Sequence, residues 1–173
     1  NVGTGDGIAV LAHPTNPRYV YVTREDGFIV RTDLQTGERK FIKPAHPDAT
    51  ELRFSWNTGI VLDPHDGALY IGSQFVHRST DMGTTWALIS PDLTTNDPEK
   101  QMMDQSGGLT LDDTTAENHT TILNIVPSPV EPGVLWVGTD DGNVQLTRDG
   151  GQTWTNVVER IRGVRPNTWV SHI

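Results

Sequence analysis

Glu51, Asp140 and Asp141 are the side chains best suited to chemistry on a bound sugar. Glycoside hydrolysis needs two carboxyl groups about 5–10 Å apart across the scissile bond. Trp56 would offer a stacking platform for the ring. Asp141 precedes Gly142, and Asp-Gly is equally an ordinary hairpin signal. Arg24, Arg53 and Gln74 are further candidates for contact with a ligand, since they fall in predicted turns together with the carboxylates.

Asp81 and Asp149 need a different reading. They sit in Ser79-Thr80-Asp81-Met82-Gly83-Thr84-Thr85-Trp86 and in Thr147-Arg148-Asp149-Gly150-Gly151-Gln152-Thr153-Trp154, two copies of [Ser/Thr]-x-Asp-x-Gly-x-Thr-Trp. An Asp near a turn accepts hydrogen bonds from backbone N–H groups a few residues on. Gly83 and Gly151 supply positions where φ can be positive. Thr85 and Thr153 begin a strand, and Trp86 and Trp154 are expected to pin the turn to its own sheet. Asp81 and Asp149 are therefore turn staples, and no catalytic role is assigned to them.

The elements around these residues repeat. Three units each carry four short β-branched or aromatic runs separated by Gly, Pro, Asn and Asp. Their first runs, beginning at Ile8, Ile60 and Ile122, end before His13-Pro14, Asp63-Pro64 and Ser128-Pro129. The second runs are Tyr19-Val20-Tyr21-Val22, Ala68-Leu69-Tyr70-Ile71-Gly72 and Val134-Leu135-Trp136-Val137-Gly138. Unit one keeps Asp33 and Gly37 but lacks the octapeptide and its Trp. Four antiparallel strands per repeat make an all-β propeller, here about three blades over 1–53, 54–121 and 122–163, with 164–173 opening a fourth. Three blades do not close a large ring, so the remaining blades, or other copies, are expected as partners.

A four-stranded antiparallel blade has two ends. The second-to-third turns and the blade-to-blade loops share one end, and the octapeptides lie at the other. Arg24-Glu25-Asp26, Gln74 and Asp140-Asp141 thus fall on the candidate binding face, joined by the loops 43–53 and 90–121. The long loop holds Asp92, Asp97, Glu99, Asp104, Asp112, Asp113 and Glu117 against one Lys. It admits a Ca²⁺ site built from carboxylate oxygens, but lacks the EF-hand spacing, and a solvated acidic loop explains it as well. Gln105-Ser106-Gly107-Gly108 reads as a turn and Leu109-Thr110-Leu111 as a locally packed run.

The octapeptides resemble the Asp-box of sialidases and related β-propellers. From Arg53-Phe54-Ser55-Trp56-Asn57 through Ile89-Ser90-Pro91-Asp92-Leu93-Thr94 the chain is similar to a large family of exported bacterial propellers of the Asp-box (BNR-repeat) type, labelled glycosyl hydrolase or sortilin-like. The similarity extends through Val137-Gly138-Thr139-Asp140-Asp141-Gly142 to Trp169. It implies a longer native chain and a secreted or periplasmic location. It implies a fold more than a reaction, because many such propellers only bind. Arg31, Arg78 and Arg148 recur beside the boxes as part of the repeat, which argues against a sialidase arginine cluster.

Composition narrows the partners. A net charge of −9 and a pI near 4.9 oppose a nucleic-acid backbone or an anionic membrane surface. No apolar run is long enough to span a membrane, and there is no cysteine for disulfides or thiolate metal sites. The six histidines have no metal-ligand spacing, so no metal is assigned and no cofactor is expected. The expected function is a binding or scaffold module for a glycan or protein ligand; the alternative is a glycoside hydrolase using paired carboxylates.

Overall fold

The computed structural model describes residues 9–102, 118–165 and 167–173. Three four-stranded antiparallel sheets follow one another along the chain. Blade one is β1 (Ala9–Ala12), β2 (Tyr19–Thr23), β3 (Ile29–Asp33) and β4 (Arg39–Phe41). Blade two is β5 (Ile60–Leu62), β6 (Leu69–Gly72), β7 (Val76–Ser79) and β8 (Ala87–Leu88). Blade three is β9 (Ile122–Pro127), β10 (Leu135–Thr139), β11 (Val144–Thr147) and β12 (Thr155–Asn156). Strands pair only with their sequence neighbours, so each sheet is a meander and the fold is a partial β-propeller. The expected runs thus all become strands. The turn 105–108 and the run 109–111 anticipated in the long loop lie outside the described residues, as does Ile8.

Local chemistry starts each blade in the same way. His13, Asp63 and Ser128, the residues before the prolines, turn their side chains back on the chain. Asn16 N donates to His13 Nδ1 at 3.2 Å, His65 N to Asp63 Oδ1 at 2.8 Å, and Val130 N to Ser128 Oγ at 3.3 Å. Each pairing closes the first-to-second turn.

The core lies between blades. One cluster joins Tyr21, Ile29 and Ile42 of blade one to Leu69 and Ile71 of blade two. The other joins Tyr70 and Val76 of blade two to Ile122, Ile125, Leu135 and Val137 of blade three. Packing sheet on sheet buries apolar faces that one blade alone would leave in water.

The octapeptides complete these joints, and here one expectation is corrected. Within each box the Asp does act as a turn staple. Asp81 accepts from Thr85 N at 2.8 Å, Thr85 Oγ1 at 2.7 Å and Ser79 Oγ at 2.8 Å. Asp149 accepts from Thr153 N at 2.9 Å, Thr153 Oγ1 at 2.6 Å and Thr147 Oγ1 at 2.8 Å. The Trp, however, reaches past its own sheet. Trp86 Nε1 donates to the Ile42 carbonyl at 2.8 Å and Trp154 Nε1 to the Ile89 carbonyl at 3.0 Å, both in the preceding blade. Gly83 and Gly151 sit against the same two residues. A Cβ on Gly83 would lie 2.4 Å from Ile42 Cδ1, and one on Gly151 2.5 Å from the Ile89 carbonyl oxygen. Both glycines also have positive φ, +80° and +98°.

Register corrects a second expectation. Tyr21 faces Arg31, Tyr70 faces Arg78 and Trp136 faces Leu146. Leu146, not Arg148, is the repeat equivalent of the two arginines. Blade one, which lacks the box, closes its turn differently. Arg18 Nε donates to both Asp33 oxygens at 2.8 Å, and Gln35 N donates to Asp33 Oδ1 at 2.9 Å. Thr32, which occupies the place of Ser79 and Thr147, then has a buried hydroxyl with no partner among the described residues.

The last residues run along blade three as the start of β9 runs along blade two. Ile122 N donates to the Ser73 carbonyl at 2.8 Å, and Val170 N to the Thr139 carbonyl at 3.0 Å. Gly72 and Gly138 permit these approaches, since a Cβ would meet Ile122 at 2.6 Å and Val170 at 2.5 Å.

Two outcomes follow from the joints. Trp86→Phe keeps most of the apolar surface but loses one hydrogen bond, costing about 1 kcal/mol in urea unfolding. Gly83→Ala adds a clash and strain at positive φ, so it costs more, roughly 2 kcal/mol or above. Equal losses in the two variants would contradict the inter-blade joint. The box hydrogen bonds hold Asp81 and Asp149 down to about 2. Their contribution is therefore complete above an unfolded carboxyl's ordinary pKa of about 4 and is lost as pH falls through about 2. An Asp81→Asn, Asp149→Asn variant will show a shallower acid transition in that window.

Candidate ligand-binding face

The β2–β3, β6–β7 and β10–β11 turns and the blade-to-blade loops gather at one end, opposite the octapeptides. Most of the expected site residues are found there in bracing roles.

Gln74 is buried in the short β6–β7 turn. Its Oε1 accepts from Arg53 N at 2.8 Å and its Nε2 donates to the Glu51 carbonyl at 2.8 Å, so the side-chain amide acts as an added strand for the loop 51–53. The Gln74 carbonyl also accepts from Leu93 N at 3.0 Å. Arg53 then bridges blades two and three. Its Nη2 donates to Asp92 Oδ2 at 3.0 Å and its Nε to the Thr120 carbonyl at 3.4 Å. The Glu51 carboxylate is exposed.

Asp140 and Asp141 are both 2% exposed. Asp140 accepts from Thr121 N at 2.9 Å and Thr121 Oγ1 at 2.6 Å, and its own N donates to the Thr121 carbonyl at 3.1 Å. Burial pushes its carboxyl above the ordinary range, against those hydrogen bonds and the nearby His119, whose Nδ1 is 3.7 Å away. Asp141 accepts from Thr95 N at 2.6 Å, Thr95 Oγ1 at 2.8 Å and Thr139 Oγ1 at 2.5 Å. The pair locks the start of β9 and the loop after β8 onto the β10–β11 turn.

The described part of that loop is held by hydrogen bonds to blade three and to its own backbone. Leu93 is buried, and its carbonyl accepts from Asn143 Nδ2 at 2.9 Å and Gln145 Nε2 at 3.0 Å. Asp97 caps a short 3-10 turn, Pro98–Gln101. Asn118 Nδ2 donates to the Phe54 carbonyl at 3.0 Å, returning the chain to blade two. Asp104, Asp112, Asp113 and Glu117 lie outside the described residues, and among those described no group of three metal-binding side chains converges.

Arg24 lies over the Phe28 ring, 3.9 Å from its centroid. Trp56 is half-buried just ahead of β5. A pocket of about 320 Å³ lies along the first strands, lined by Asn57, Ile60, Asn124, Trp169 and His172 among others. A second pocket, of about 360 Å³, opens beside the β10–β11 turn at Gly142, Val158 and Arg165. Neither pocket was foreseen, because each depends on how two blades meet.

One buried pair carries no motif in the sequence. Ser73 Oγ and His77 Nε2 are 2.9 Å apart, at 0% and 1% exposure. Such burial denies a substrate access to the hydroxyl. It also holds His77 neutral, pushing it down to about 4.

No protein-family model matches the sequence, and no curated protein matches it. Solved structures do match by shape. A GH74 enzyme of Niastella koreensis superposes with a TM-score of 0.58 at 20% identity, over 98% of this chain and 23% of its own. The GH74 xyloglucanase of Xanthomonas campestris gives 0.53 at 20% identity, over 93% of this chain and 24% of its own. The likeness is one of fold. This chain spans about a quarter of the length of those enzymes.

Two outcomes test the face. Gln74→Ala leaves the Arg53 amide and the Glu51 carbonyl without partners and is expected to cost about 2 kcal/mol, whereas Glu51→Ala stays within about 0.5 kcal/mol. Burial of neutral His77 adds stability that is full above the unfolded pKa of about 6.5 and falls away as pH drops through about 4. The loss is on the order of 3 kcal/mol, and His77→Gln flattens the curve in that window while leaving the acid transition of the boxes.

Proposed function

We propose that this chain is part of a propeller that binds a glycan at its turn-bearing end, without supplying the catalytic carboxylates itself. The observation that carries this reading is the state of Asp140 and Asp141. Both are buried, and every carboxylate oxygen of the pair accepts a hydrogen bond from the protein. A general acid needs a proton aimed at the leaving group, and a nucleophile or base needs a free lone pair on the sugar. The same residues serve well as a rigid frame for loops that contact a ligand.

A hydrolase is the second reading. It is favoured by the upward shift of Asp140 and by the fold shared with GH74 enzymes. The repeated octapeptides further support placing the chain among exported Asp-box, sortilin-like propellers of bacteria, with a secreted or periplasmic location.

The test is paired. Binding to an immobilised glycan panel is measured together with reducing-end release from the same glycans. Retained binding with no release, unchanged in Glu51→Gln, is the expected result. Reducing-end release by the wild type that Glu51→Gln or Asp140→Asn abolishes while binding is retained would overturn it in favour of the hydrolase.

A further inference from the structure

Repeat equivalence singles out the pocket beside Gly142. The β2–β3 and β10–β11 turns are alike, with Arg24 N donating to the Phe28 carbonyl at 2.9 Å and Thr139 N to the Asn143 carbonyl at 3.1 Å. Asp26-Gly27 therefore corresponds to Asp141-Gly142, and both glycines have positive φ, +61° and +97°. After the fourth strands, Ile42 N donates to the Ile29 carbonyl and Val157 N to the Val144 carbonyl, so Lys43 corresponds to Val158.

In blade one this space is full. The Phe54 ring covers Gly27 so closely that a Cβ there would lie 2.3 Å from it, and Phe54 is 0% exposed. Lys43 Nζ lies 4.6 Å from the ring centroid and donates to Asp26 Oδ2 at 3.0 Å. In blade three the residue against Gly142 is Asn167, which touches the glycine through its backbone N. Among the described residues no aromatic ring lies against Gly142, and a pocket of about 360 Å³ opens beside it. That volume is at the lower end of the range for small-ligand sites.

The lining has a definite chemistry. Gly142, Val158, Ile161 and Val164 give it an apolar wall. Its amides and one carboxylate are already occupied: Asp141 by Thr95 and Thr139, Asn143 by Leu93 and Asn156, and Asn167 by Lys100. Arg165 and Glu159 are different. They line the same pocket with no side-chain hydrogen bond or ion pair among the described residues. Arg160, Arg162 and Arg165 lie within six residues of each other, a local cationic stretch in a chain of net charge −9.

We infer that this pocket binds one uronic-acid residue, a pyranose ring carrying a carboxylate. The inference rests on the glycan-binding reading of this end and names its ligand class. The C–H face of the ring packs on the apolar wall of Val158, Ile161 and Val164. The ring carboxylate pairs with the planar Arg165 guanidinium, which suits bidentate recognition. Ring hydroxyls donate to Glu159. An aromatic carboxylate would fill the wall and pair with Arg165, but would leave Glu159 facing an anion without a donor between them.

Isothermal titration of the full chain with trigalacturonate, a neutral trisaccharide and phenylacetate decides the matter. Trigalacturonate is expected to bind at least about tenfold more tightly than either alternative, the ratio that one lost charge-assisted contact gives. Arg165→Gln should cost trigalacturonate at least about tenfold with an unchanged melting temperature, since the residue is exposed and its side chain has no partner among the described residues. Val164→Trp, which fills the pocket, should abolish binding. Equal affinity for acidic and neutral trisaccharides, or binding indifferent to both substitutions, would overturn the uronate inference while leaving a glycan-binding face intact. Phenylacetate binding as tight as trigalacturonate would overturn the sugar class. No binding of either trisaccharide by folded protein would overturn the inference, and a blank glycan panel as well would overturn the glycan reading with it.

Discussion

Each pair of neighbouring blades is held by one indole N–H that reaches into the preceding blade, with a glycine beside it that lets the backbones approach. Trp86 with Gly83 seats on Ile42, and Trp154 with Gly151 seats on Ile89. The Asp of each box shapes the turn so that Trp and Gly arrive together. These contacts fix the angle between sheets, and that angle decides how the turns at the far end stand relative to one another. The cores on either side of blade two depend on the same seating, because Ile42 and Trp86 belong to one cluster and Ile89 and Trp154 to the other.

At the opposite end polar contacts take over the same task. Gln74 carries the loop before β5, Arg53 and Asp92 join two loops, and Asp140 and Asp141 clamp what precedes β9 and follows β8. Buried polar groups are costly unless satisfied, and nearly all of these are satisfied by partners distant in sequence. The result is a rigid rim around pockets whose free groups, such as Arg165, lie in loops. On the proposed function, stability and recognition are thereby divided between residues that sequence chemistry alone would treat as one class.

Much of the fold was legible in the sequence. Strand runs, prolines and the paired octapeptides gave twelve strands in three sheets because period, turn residues and β-branched content all agree locally. The turn role of Asp81 and Asp149 was legible for the same reason. The direction of the Trp was not, since a hairpin motif carries no information about the blade behind it. Spacing to the boxes puts Arg148 with Arg31 and Arg78, whereas strand register pairs Trp136 with Leu146 and gives that place to Leu146. The candidate site was legible as an end of the molecule and hardly as residues. Gln74, Asp140 and Asp141 were picked out as polar groups in turns, yet their partners Arg53, Thr121 and Thr95 come from other loops. That Asn167 lies against Gly142 where blade one has Phe54 against Gly27 is an equivalence that only the register exposes.

On the proposed glycan-binding reading the molecule has a structural end, bearing the boxes, and a recognition end, bearing the second-to-third turns. Mapping of backbone amide shifts on titration with a bound glycan tests that separation most directly. Perturbed amides confined to the β10–β11 turn, residues 157–165 and the neighbouring loops, with those of residues 79–86 and 147–154 unmoved, is the predicted pattern. Shifts centred on Asp81, Asp149 and their threonines would contradict it and move the binding site to the other end of the propeller.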